Sequence, residues 1–210
     1  MKARSHSETR SWFLDTQIKR CTEALEANGF SVSRARDRSE AQTKVLDLIS
    51  PEARVALGGS VTLQEIGIAE ALKERGNEVE PYPGGDPRKR LTADTFLSST
   101  NALTLDGKLV NVDGSGTRVN AMIFGPGQVI VVAGINKLVT DADRGLWRTR
   151  NVAAPMVYYR KRAGTPCSQL GYCTDCRLPQ RQCRVTTVLD ARPRATEKFD
   201  IVIVEESLGY

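Results

Sequence analysis

The sequence predicts an α/β fold: a mostly parallel, Rossmann-like sheet in three layers, with helices on both faces and a cysteine-rich loop near the C-terminus. Three observations predict it. Amphipathic helical segments alternate with short apolar runs, the pattern of parallel strands joined by crossover helices. One run, Val129-Ile-Val-Val-Ala133, shows no polar alternation, as expected of a central strand buried on both faces. Several strand ends pass into glycine- or hydroxyl-rich clusters, where open α/β sheets place their ligands.

Residues 1–11 read as a polar tail, because no apolar core follows the charges of MKARSHSETR as a signal peptide requires. Trp12 to Asn28 reads as a helix, with Phe13, Leu14, Ile18, Cys21 and Leu25 at helical spacing and Gly29 as its stop. Cys21 belongs to that apolar face. Phe30 and Val32 open a strand. Ser39 is the expected cap of the next helix, which carries Ala41, Val45, Leu48 and Ile49 and closes at Pro51. Arg54 to Leu57 forms a buried strand leading into Gly58-Gly59-Ser60. Thr62 follows as the expected N-cap, with Glu65 at capping-box spacing, and that helix should run to Arg75 and stop at Gly76.

Glu78 to Tyr82 is a strand expectation, and Pro81 to Pro87 cannot hold regular structure. Thr95 to Ser98 forms another strand. Ala102–Leu105 and Lys108–Val112 flank Asp106-Gly107, a hairpin signal. Asp141–Arg150 and Ala154–Arg162 read as helices separated near Pro155, and Val185–Leu189 and Asp200–Val204 as closing strands. No internal repeat is present, so residues 12–210 are expected to form one domain that includes the cysteine-rich segment 165–184.

Composition narrows the function classes. The 210 residues are 40% hydrophobic and 26% charged, an ordinary globular balance, and no apolar run reaches the roughly 18–20 residues of a membrane span. A cytoplasmic location follows as an expectation. The net charge of +5 is scattered, and Arg88–Arg90 and Arg160–Arg162 lack interleaved aromatics for base stacking. A nucleic-acid partner is therefore not expected, whereas a small anionic ligand is. The single histidine, His6, lies in the tail, which argues against a Ser-His-Asp triad, a Cys-His pair or a histidine-bound zinc.

In Val55-Ala-Leu-Gly58-Gly59-Ser60-Val-Thr62 a strand ends in glycines and passes into a helix, so amides and hydroxyls could face a phosphate or carboxylate. A tight turn with an ordinary cap explains the same residues equally well. Ser98–Asn101, Asn111–Arg118 and Gly134–Lys137 also fall at expected strand ends, and Lys137 could bind an anion or carry a proton. In isolation it reads as a surface lysine.

Cys167, Cys173, Cys176 and Cys183 follow the spacing C-x5-C-x2-C-x6-C. A disulfide framework fits poorly without an export signal, and buried packing fits poorly in so polar a segment. Four thiolates point to zinc or to a four-iron, four-sulfur cluster, with Arg177, Arg181 and Arg184 offsetting the negative charge. The spacing matches neither a zinc ribbon nor a bacterial ferredoxin run. The preference leans slightly to iron–sulfur.

Taken in order, these segments resemble the lactate-utilization (LUD) domain family. The carrying residues are Ala56–Thr62 with Glu65, Thr104–Val119, Phe124-Gly-Pro126, Val129–Lys137, Arg150–Pro155, Thr165-Pro-Cys167 with the other three cysteines, and Glu205–Tyr210. The resemblance implies a fold similar to ribose phosphate isomerase, glucosamine phosphate deaminase and CoA transferases (the NagB/RpiA/CoA transferase-like class). It places Gly58, Gly59, Ser60, Thr62, Asn101, Asp113, Arg118 and Asn136 at a ligand pocket together with Glu65 and Lys137, the catalytic candidates, either of which could transfer a proton. It also implies an accessory role in oxidation of lactate or a related hydroxyacid, beside iron–sulfur redox partner proteins. The alternative is a stand-alone enzyme or sensor for a phosphorylated, CoA-linked or carboxylate ligand, with structural zinc.

Overall fold

The computed structural model describes residues 3–210. Its first helix, α1 (His6–Ala27), starts at His6 and not at Trp12. Ser5 accepts a hydrogen bond from the Glu8 amide, and the Glu8 carboxylate accepts one from the Ser5 amide. This capping box extends the helix into the stretch read as tail, ahead of the first apolar residue. Ile18, Cys21 and Leu25 are buried on its inner face, and the Cys21 thiol donates to the Thr104 carbonyl.

Strand β1 (Ser31–Ala35) leads to α2 (Arg38–Leu48), capped by Asp37 and not by Ser39. After β2 (Val55–Leu57), the expected long helix divides into α3 (Val61–Glu65) and α4 (Ile68–Arg75), because Gly67 takes a left-handed φ of 65° between them. The cap of α3 is Ser60, whose hydroxyl accepts from the Leu63 amide; Thr62 and Glu65 form no capping box. Next come β3 (Val79–Glu80), β4 (Thr95–Ser98), β5 (Ala102–Thr104), β6 (Leu109–Asp113) and α5 (Thr117–Ile123). They are followed by β7 (Gln128–Gly134), a 3-10 turn at Ile135–Lys137 and β8 (Leu138–Val139).

Helix α6 (Ala142–Arg148) continues through a π-helical turn, Thr149–Ala153, into α7 (Ala154–Arg160). The expected gap near Pro155 is thus absent. Pro155 has no amide proton and crowds the preceding turn, and the wider π turn accommodates it without ending the helix. Helix α8 (Pro166–Leu170) and strands β9 (Val185–Leu189) and β10 (Lys198–Val204) complete the chain.

Two sheets form. The larger has the order β1-β10-β7-β4-β2-β3, and all its pairings are parallel. The smaller, β8-β5-β6-β9, pairs β5 with β6 and β6 with β9 antiparallel. β7 lies at the centre of the larger sheet, as its apolar run predicted, with Val131 opposite Ile201 of β10 and Ser98 of β4. Val129, Val131 and Ala133 pack with Phe199, Ile201 and Ile203 toward α1 and the smaller sheet. Ile130 and Val132 pack with Val202 and Val204 toward α2 and α4. Both faces of the larger sheet are therefore covered, one by α2 and α4 and the other by α1 together with the smaller sheet, where helices alone were expected. Because the strands run parallel, the C-terminal ends of β2, β4 and β7 open on one edge, which brings Gly58–Ser60, Ser99–Asn101 and Gly134–Lys137 together. No helix among the described residues is long and apolar enough to cross a membrane.

Candidate functional site

Lys137 is the centre of that edge. Only 4% of it is exposed, and its Nζ donates to Thr62 Oγ1 at 2.8 Å and Ser99 Oγ at 2.7 Å. Among the described residues no carboxylate lies within ion-pair distance of it. Burial pushes its amine down to about 7; Arg148 and Arg118 lower it further, and Glu65 opposes them. The sequence reading of a surface lysine is corrected by this burial.

Arg118 joins the two sheets. Its Nε and Nη2 bind the Asp113 carboxylate, Nη1 donates to the Ser99 carbonyl, and Nη2 reaches Asn101 Oδ1 at 2.9 Å. Asp113 also accepts from the Arg118 and Val119 amides, so it starts α5 and aims Arg118 in one arrangement. Arg148 spans the far side. It donates to the carbonyls of Asn136 and Asn101 and to the main-chain oxygen of Tyr210, has no side-chain carboxylate partner among the described residues, and its pKa is lowered by burial.

A small chamber of about 70 Å³ is bounded by Lys137, Thr62, Ser99, Asn101, Arg118 and Tyr210. It adjoins a wider cleft of about 460 Å³, with which it shares Gly59, Tyr82, Asn101, Arg118, Ala153, Val157 and Lys161. A water molecule's share of liquid volume is about 30 Å³, so the chamber suits an anionic head group, and the cleft a longer body. Arg90 is buried beneath the cleft on the carbonyls of Leu57, Pro81 and Gly84, and its guanidinium lies 5.4 Å from the Tyr82 ring. Lys161 faces the same ring at 5.8 Å. Among the described residues Arg90, Lys137, Arg148, Arg160 and Lys161 all lack a side-chain carboxylate partner. Arg90, Lys137 and Arg148 are buried and Arg160 and Lys161 are exposed, and an excess of cations of this kind favours an anion.

The glycine loop is closely packed and ends in a helix cap. A side chain at Gly58 would meet Ser98 Oγ at 2.5 Å, so Gly58 permits close packing of β2 on β4. At Gly59 the same space is filled by the Tyr82 ring, also at 2.5 Å. Ser60 caps α3 and borders the chamber, and Thr62 holds Lys137. Arg118, Lys137, Arg160 and Lys161 supply the charged side chains of the lining. Glu65 is committed to the Gly209 amide at 2.6 Å, which holds the C-terminal segment and leaves its carboxylate away from the chamber lining. Asn136 also turns from the chamber: its Oδ1 accepts from the Leu208 amide and its Nδ2 donates to the Gly209 carbonyl. Arg148, Arg90 and Tyr82 were missed by sequence reasoning. Arginines are common on surfaces, and no local pattern marks one that folding will bury.

Residues 171–184 carry no helix or strand, but Cys167 lies buried on α8 with its thiol 3.3 Å from Thr165 Oγ1. All five cysteines are free thiols. The Asp175 amide donates to Cys173 Sγ, and Cys183 Sγ lies 4.0 Å from the Tyr158 hydroxyl at the wall of the wide cleft. Burial raises the Cys183 thiol above its ordinary value, and Cys167 and Cys173 raise it further. Arg181 is spent on the carbonyls of Cys176 and Cys183 and on Asp175, and Arg184 on those of Arg181 and Pro179. These two arginines therefore brace the backbone of the segment, and Arg181 also favours the Cys183 thiolate. Among the described residues no group of three or more His, Cys, Asp or Glu side chains is arranged to hold a metal ion.

A mostly parallel sheet with helices packed on it and a cationic chamber at its strand ends defines an α/β domain of the open-sheet class. The LUD domain matches residues 18–204, and the chain belongs to that family. Among solved structures it is similar to a DUF162 family protein from Deinococcus radiodurans, determined at 1.70 Å. That likeness has a TM-score of 0.58 at 14% identity and covers 91% of this chain and 98% of the other, so it concerns the fold alone. No curated protein matches the chain.

Proposed function

We propose that the chain binds a small 2-hydroxy- or 2-oxocarboxylate in the Lys137 chamber and serves the oxidation of lactate or a related hydroxyacid. The carrying observation is Lys137, a buried amine with no side-chain carboxylate partner among the described residues, lining a chamber of head-group size beside Arg118 and near enough to Arg148 to feel its charge. Membership of the LUD family supports a lactate-related role. In this reading the ligand carboxylate meets Arg118 and Lys137, Asn101 and Ser99 orient its oxygens, and Tyr82 closes the outer side.

Calorimetric titration with lactate, pyruvate, a sugar phosphate and a CoA ester tests the assignment. The expected result is binding of the first two, weakened by raised salt but not removed, since the chamber is buried. Binding confined to the phosphorylated compounds would favour the second reading. That reading, a phosphorylated or CoA-linked ligand in a fold of the sugar-phosphate isomerase kind, draws on the 460 Å³ cleft with Lys161, Arg181 and Arg184 along it.

We also propose that Cys167, Cys173, Cys176 and Cys183 hold an iron–sulfur cluster or zinc. Four free thiols in one short segment support it. Anaerobically prepared protein should contain iron and sulfide at about four each per chain, the content of a four-cysteine cubane cluster. Stoichiometric zinc without sulfide would reassign the site to structure, and neither metal would remove it.

A further inference from the structure

We propose that Lys137 forms a covalent imine with the carbonyl carbon of a 2-oxo acid bound in its chamber. This rests on the reading of the chamber as a carboxylate site and adds a chemical step to it. A lysine serving only as a counter-ion needs a positive charge and open approach of an anion. Lys137 has instead a buried amine held by two neutral hydroxyls, at 2.8 Å from Thr62 and 2.7 Å from Ser99. A neutral amine satisfies both hydroxyls with its two N–H groups, which leaves the nitrogen lone pair without a protein partner among the described residues.

Two guanidiniums set the electrostatics. Arg118 and Arg148 disfavour a third positive charge on the amine. Glu65, the carboxylate near enough to oppose them, is engaged by the Gly209 amide. With burial these effects hold the amine near 7, so a large share is neutral and nucleophilic at neutral pH. In a 2-oxo acid the carbonyl carbon is bonded directly to the carboxylate. A carboxylate held by Arg118, which borders the chamber, therefore brings the carbonyl beside Nζ.

The step balances without a redox partner. The Nζ lone pair adds to the carbonyl carbon, the carbonyl oxygen collects both amine protons and leaves as one water, and a C=N bond replaces C=O. Ser99 and Thr62 are placed to relay those protons. No electrons change hands.

The test combines calorimetry with reductive trapping. Full-length protein is incubated with pyruvate and cyanoborohydride at pH 7.5, and the adduct is located by peptide mass. The expected result is one reduced pyruvate adduct on the Lys137 peptide, suppressed by excess lactate. Lys137→Arg, which keeps the positive charge, should lose the adduct while circular dichroism shows it folded. Pyruvate binding without an adduct overturns the imine and leaves the carboxylate site standing. Neither binding nor adduct removes both. An adduct that persists in Lys137→Arg, or lies only on other lysines, also overturns the proposal.

Discussion

Lys137→Met is expected to lower the affinity for the carboxylate ligand by at least about a hundredfold, because it removes the charge-bearing donor of a desolvated site. The thiolate-bearing segment and both cores should be unaffected, so the variant should fold. The same substitution carries a pH signature. In the unfolded chain the amine titrates near its ordinary 10.5, and in the folded protein near 7. Between these values the unfolded state binds more protons, so stability rises with pH across that window. Below about 7 both states are protonated and the contribution is flat, at its least favourable level. The stability of the native protein relative to Lys137→Met should therefore climb from pH 7 toward pH 10, by at most ~1.4 kcal/mol per pH unit. Denaturant titrations of both proteins at several pH values would measure it. A pH-independent difference would show that Lys137 keeps an ordinary pKa.

Gly134→Val should destabilise the fold by about 3 kcal/mol or more. A Cβ at Gly134 would lie 2.5 Å from the Glu206 carbonyl oxygen and the Leu208 amide nitrogen, and 2.6 Å from Asn136 Oδ1. The first two are backbone atoms and cannot swing aside. They also form the seam that positions the site: the Ile135 amide donates to Glu206, and the Leu208 amide to Asn136. For a chain of this size such a loss lowers the melting temperature by roughly 6–12 °C. Gly127→Ala is the matched control, since its nearest atom would be a Glu197 carboxylate oxygen at 4.0 Å. Equal melting temperatures for the two variants would mean that residues 206–208 are not packed against the end of β7.

Much of the fold was legible from local chemistry. The apolar run at 129–133 announced a central strand, and Asp106-Gly107 announced the hairpin, where Gly107 takes a φ of 82°. Cys21 was legible as core from its helical spacing. Caps were read less well. Ser39 and Thr62 have the right side chains, but Asp37 and Ser60 begin the turns, and any of these residues could cap where the backbone permits. The second sheet was hidden because β9 pairs with β6 across more than seventy residues, and periodicity carries no information about pairing partners.

The sequence by itself determined the layered α/β character, the chain order of the strand-end clusters and the family to which they belong. Those follow from periodicity and motif order, which are properties of neighbouring residues. Tertiary structure alone decided the character of the site. It buried Lys137 and left it without a carboxylate, gave Asp113 to Arg118, committed Glu65 and Asn136 to the C-terminal segment, and brought Arg90 and Arg148 in from distant helical turns. The physical reason is desolvation. Whether a charged side chain is a solvated ornament or a reactive group depends on the dielectric around it and on its partners, and both are set only when distant segments close over it.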